Sequence, residues 1–105
     1  PPSNAIAIVV TGVVVATNAP TGLTANVAGR NVAITWTPPA TGGTPAGYRL
    51  EAGYGPGLAN AAVMLTTTPG VAVATAPPGT YYVRVRGYNA AGVGAATGEI
   101  VVTVP

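Results

Sequence analysis

The chain has 105 residues, 49% of them apolar, and carries four Arg and two Glu but no Lys, Asp, His or Cys. With Ser3 as its single serine and no base to partner it, the chain cannot build a nucleophilic triad, and two Glu beside Asn side chains make no metal cluster. A net charge of +2 spread over four arginines is not a nucleic-acid footprint, no cofactor is expected, and without Cys the redox compartment is unread.

One domain is expected at this length, burying ~60–65% of its unfolded surface. Most apolar residues are Ala and Val, with one Trp, five Tyr and no Phe, so the core must combine small or β-branched side chains with a few large anchors. The 15 Gly and 11 Pro fall between alternating apolar runs, which is the pattern of strands and turns rather than of low complexity. No signal peptide is visible and no apolar run reaches ~18 residues, so no membrane span is expected. The opening Pro1-Pro2, without Met, reads as a processed chain or a piece of a longer one.

In chain order, Asn4 to Thr17 (NAIAIVVTGVVVAT) is a β-branched run, apolar on both faces and interrupted by Gly12. So many Val and Ile disfavour a helix. Fully extended at ~3.3 Å per residue it would reach ~45 Å, longer than an ordinary strand, and Gly12 marks a bulge, a bend or a break. Asn18 to Gly22 is punctuation. Gly22 to Ala28 is predicted as a first strand with Leu23, Ala25 and Val27 in phase, and Ala28 to Asn31 as a turn. Val32, Ile34 and Trp36 alternate with Ala33 and Thr35, predicting a second strand with Trp36 inward. After a loop from Thr37 to Gly47, a third strand runs from Tyr48 to near Tyr54, with Tyr48, Leu50 and Ala52 in phase. Weaker strands are predicted over Ala61 to Thr66 and Val71 to Thr75. Gly79 to Asn89 (GTYYVRVRGYN) alternates strictly and predicts a half-buried central strand: Tyr81, Val83, Val85 and Gly87 on one side, Tyr82, Arg84, Arg86 and Tyr88 on the other. Asn89 to Gly98 is read as a loop, and Glu99 to Val104 as the last strand. Seven short strands with frequent turns and no helical period predict an all-β, two-sheet sandwich.

Five motifs together resemble a fibronectin type III domain of the bacterial kind, from about Ala19 to Val104. They are Pro20-Thr21-Gly22-Leu23, Val32-x-Ile34-x-Trp36, Pro38-Pro39, Gly47 to Gly53 (GYRLEAG) and, most specifically, Gly79 to Gly92. The resemblance implies a seven-stranded sandwich of four plus three strands, with Trp36 and Tyr48 as core anchors and Tyr81 as the corner tyrosine. It places the chain outside the cell or at the cell surface. Ala76 stands where the family commonly has Leu, and Gly87 where Ala is common, which implies a looser corner. The loop where adhesive members carry Arg-Gly-Asp has no Asp here, so adhesion through that motif is not supported.

In that topology the third, central and last strands are neighbours. Glu51, Glu99, Arg49, Arg84 and Arg86 then form one outward cross-strand ladder, each exposed pair contributing ~0.2–1 kcal/mol. A structural ladder outweighs an active site built on Glu51 and Glu99, so no catalytic residue is assigned and the chain is read as not an enzyme. Tyr82 and Tyr88, with Arg84 and Arg86 between them, are the candidate ligand face for a sugar or a protein partner. The plainer reading is that outward Tyr shields the sheet.

Residues 1–18 are an additional N-terminal β-strand or linker ahead of a domain at 19–105. In the resemblance, Pro2 to Val10 aligns with Ala96 to Val104 and looks like the final strand of a preceding module. A strand apolar on both faces must pair with something. Three partners stand open: its own domain, a tandem β-sandwich neighbour, or another copy of the chain, which would propagate as a fibre. Ile6, Ile8, Val10, Val13 and Val15 are the candidate self-association residues. The resulting reading is a non-catalytic structural module of an extracellular prokaryotic protein, with a polysaccharide- or protein-binding accessory domain of a secreted hydrolase as the alternative.

Overall fold

The computed structural model describes residues 15–105. Ile6, Ile8, Val10 and Val13, and with them the additional N-terminal strand, lie outside the described residues. Among the described residues the chain forms eight strands and no helix: β1 (Thr21–Ala28), β2 (Asn31–Thr37), β3 (Gly47–Gly53), β4 (Ala62–Thr66), β5 (Gly70–Val73), β6 (Gly79–Asn89), β7 (Gly92–Ala96) and β8 (Ile100–Val104). One sheet has the order β1-β2-β5. The other has the order β4-β3-β6, and β7 and β8 follow one another along the far edge of β6. All pairings are antiparallel.

The alternation read in the sequence becomes the two faces of these sheets. On β2, Val32, Ile34 and Trp36 are buried and the residues between them exposed. On β6, Val83, Val85 and Gly87 point inward and are buried. Trp36 meets Tyr48 from the opposite sheet edge to face, with ring centroids 5.4 Å apart and planes at 68°. This geometry adds about 0.5–1.5 kcal/mol to the burial itself. The Tyr81 hydroxyl donates to the Pro77 carbonyl at 2.7 Å, closing the corner where the chain crosses from β5 to β6.

Three boundaries differ from the sequence reading. Asn89 to Gly98 is not a loop, because Gly92–Ala96 pairs with β6 through Tyr88–Val93 and Arg86–Ala96. Its composition, GVGAA, has little β propensity, but the edge of β6 offers backbone groups that a paired strand satisfies. The real interruption is Thr97 to Glu99, where the Thr97 hydroxyl accepts from Val85 N at 3.0 Å and Thr97 N donates to Val85 O at 2.9 Å. Last, β5 stops at Val73 rather than Thr75, since Thr75 turns to φ 55°, with its N–H donating to Asn31 Oδ1 at 3.2 Å.

Of the two positions expected to loosen the corner, only Ala76 lies at it, and Gly87 stands toward the far end of β6 from Tyr81. Thr17, itself buried, lies over Gly87, where a Cβ would stand 2.9 Å from Thr17 Oγ1. Ala76 has no such substitute, and a cavity opens beside it.

Replacing Trp36 with Ala should cost about 3–5 kcal/mol in urea unfolding as a large-to-small core change. Replacing it with Phe should cost far less, because the indole Nε1 is buried with no hydrogen-bond acceptor among the described residues and its removal relieves that penalty.

Candidate functional site

Two regions concentrate polar chemistry. The first is the outer face of the five-stranded sheet. Pairing aligns Val63, Glu51 and Arg84 in one row and Leu65, Arg49 and Arg86 in the next, so the arginines converge on Glu51. Arg84 Nε donates to Glu51 Oε1 at 2.6 Å and Arg86 Nε to the same oxygen at 3.1 Å. Arg49 Nε stands 3.1 Å from Oε2. Arg84 also reaches Glu99, Nη1 to Oε2 at 3.5 Å, and Glu99 accepts from Gly57 N at 3.0 Å, holding the β3–β4 loop against the sheet.

This is a buried hub rather than a ladder of exposed pairs. Glu51 points away from the core, yet only 5% of it is exposed. The guanidinium heads of three arginines stand against its carboxylate. Burial pushes the Glu51 carboxyl up, but hydrogen bonds from Arg84 and Arg86, with their charges, together outweigh burial and hold it below its usual value. Both carboxylates are engaged by Arg84, so the pair is arranged for cohesion of the sheet.

Tyr82 and Tyr88 lie on this face as expected, but both are half-buried rather than exposed. Tyr88 lies across Gly47 on β3, where a Cβ would collide with its ring hydroxyl. Tyr82 sits opposite Gly53, over which the backbone of Leu58 folds. The two rings stand roughly 20 Å apart along β6, with the arginines between them. The structure does not bring them together.

The second region is the pole of the sandwich at the β6–β7 turn. Asn89 organises it. Its Oδ1 accepts from Ala91 N at 2.9 Å, and its Nδ2 donates to Val15 O at 2.7 Å and Thr44 O at 3.4 Å. Gly43 N donates to Ala16 O at 3.0 Å, Asn18 Nδ2 donates to Thr41 Oγ1 at 2.8 Å, and Thr17 bridges Gly42. Thr17 is 3% exposed and presses on Gly94 as well as Gly87, so only glycine fits at either position beneath it. The Val15 side chain is exposed while its carbonyl is held. Sequence reasoning missed this anchor. The signal available was the set of glycines at 42, 43, 87 and 94 with no other evident purpose.

A three-plus-five antiparallel sandwich with a tyrosine corner and a Trp-anchored core is an immunoglobulin-like β-sandwich. Within that class the fibronectin type III domain family matches residues 18–104, and the chain belongs to it. Members are typically structural or spacer modules, generally non-catalytic and common in extracellular proteins. The fold is similar to the FN1–FN3 domains of chicken CNTN1, with a TM-score of 0.72 and 17% identity over 86% of this chain and 32% of that one. It is also similar to the FN5 domain of Drosophila Lar, with a TM-score of 0.63 and 23% identity over 85% of this chain and 97% of that one. The twitchin kinase region from C. elegans aligns with a TM-score of 0.70 and 18% identity over 85% of this chain and 17% of that one. The chain thus spans about a third of the CNTN1 chain, and at these identities the likeness is one of fold. No curated protein matches the sequence. Among the described residues no helix is long and apolar enough to cross a membrane.

Because its pKa is depressed by folding, Glu51 stabilises the domain fully above the unfolded carboxylate value of about 4.3, and that contribution is lost as pH falls through the lower folded value. Glu51→Gln should therefore lower stability at pH 7 by roughly 1.5–3 kcal/mol and flatten the acid limb of a urea-unfolding series from pH 7 to pH 2. An acid limb unchanged by the substitution would remove the hub from the account.

Proposed function

We propose that the chain is a non-catalytic structural module of an extracellular prokaryotic protein, joined to neighbouring copies through its N-terminal segment. The observation that carries this reading is the anchor at residues 15–18, which ties the base of the apolar segment to the domain through Ala16, Val15 and the buried Thr17. The segment therefore starts from a fixed point at one pole, as a connector requires, rather than from a slack linker. An acceptor edge is available. β4 pairs only with β3 among the described residues, carries no charge, and leaves Val63 and Leu65 47% and 68% exposed. An uncharged apolar edge of this kind recruits a further strand.

Polysaccharide binding through Tyr82 and Tyr88 draws less support, since both rings are half-covered by their own sheet and loop and the arginines between them are committed to Glu51.

The test is the mass of the chain in dilute solution, compared with a form lacking residues 1–14. The cut stops at 14 because Thr17 belongs to the fold. The full chain should form linear assemblies, the truncated chain should be a folded monomer, and Leu65→Lys should shorten the assemblies of the full chain by charging the β4 edge. Folded monomers in both forms would end the connector reading.

A further inference from the structure

The cavity beside Ala76 has a volume of about 150 Å³ and lies between the two sheets, open on one side. Its floor is the buried β-branched core. Its width comes from four small side chains, Ala52, Ala61, Ala62 and Ala76, and its rim carries Met64, Tyr54 and Tyr81. The rings of Tyr54 and Tyr81 stand 5.8 Å apart, centroid to centroid. Every lining side chain is apolar except for the hydroxyls of these two tyrosines, and that of Tyr81 is already spent on the Pro77 carbonyl.

A water molecule held here would need two to four polar partners, which this lining does not supply, whereas an apolar cavity of about this volume admits benzene or xenon. A molecule entering gains dispersion contacts that the lining otherwise lacks and gives up no hydrogen bonds. With no charge, and with the exposed Tyr54 hydroxyl at the rim as the one uncommitted polar group, selection rests on size and shape. Sugars and anions are excluded by the cost of stripping their polar groups of water.

We propose that this cavity is a binding site for a compact, uncharged, apolar molecule of about the size of benzene. The proposal stands apart from the connector reading, because it uses only the interior between the sheets.

The probes are benzene and xenon, with glucose as the polar control, followed by methyl NMR on the full chain. Binding should give saturable shifts confined to the Met64, Ala76 and Val83 methyls, together with a thermal midpoint that rises with benzene concentration because the ligand binds the folded state. Glucose should move none of them. Ala76→Leu should fill the space and abolish the benzene response, and if that variant does not fold, Ala76→Val should weaken the response. Shifts that are absent, spread over the surface or unsaturable in the parent chain would overturn the proposal. So would shifts that persist unchanged in a folded Ala76→Leu.

Discussion

The spacing between the two sheets is the constraint on which the rest of this domain depends, and it is set at one end by Trp36 against Tyr48. Stacked sheets sit about 10 Å apart, and in a core of Val and Ala few side chains can span that gap. Where Trp36 and Tyr48 meet, the interior is filled. Toward the Tyr81 corner the same separation faces Ala52, Ala62 and Ala76, and a cavity follows. Toward the opposite pole, glycines at 87 and 94 leave a trough into which the buried Thr17 descends. The underfilled corner and the seat of Thr17 both lie where the chain places small residues between the sheets.

Charge follows the same economy. Of the six charged side chains, five gather on one sheet face, Arg49, Arg84 and Arg86 with Glu51 and Glu99, leaving Arg30, at the β1–β2 turn, outside the cluster. The Glu51 hub joins β3 to β6 by side chains as well as backbone, and Glu99 extends the network to the β3–β4 loop. Burying a carboxylate is costly unless its charge is compensated and its lone pairs are satisfied. Three guanidinium groups compensate the charge, and two of them, Arg84 and Arg86, donate hydrogen bonds to Oε1, so an outward-facing residue ends up among the least exposed in the chain. The opposite sheet faces outward with Thr, Asn and Ala on β1 and β2, where Thr24 and Thr35 bond each other at 3.2 Å.

The chain belongs to the fibronectin type III family, and two features of its structure lie at one pole and along one edge. Asn89 clamps the N-terminal segment at one pole, and β4 presents Val63 and Leu65 along an edge. Neither feature forms a cleft with converging reactive groups, and the sheet-face carboxylates are engaged with arginine.

Period-two alternation alone determined β2 and β6 with their inward faces, because a residue's side of a pleated strand depends only on its parity. The same parity placed Glu51, Arg84, Arg86, Tyr82 and Tyr88 on one face, and the motifs around Trp36 and Tyr81 carried the family. Tertiary structure decided whatever depended on what lies above or beside a strand. It made β7 a strand despite its weak GVGAA sequence, because pairing satisfies the edge of β6. It buried Glu51 under three arginines that parity could place nearby but not on top of it. It set Thr17 into the space over Gly87 while leaving the space beside Ala76 open, a difference between two small residues that only their distant neighbours could settle.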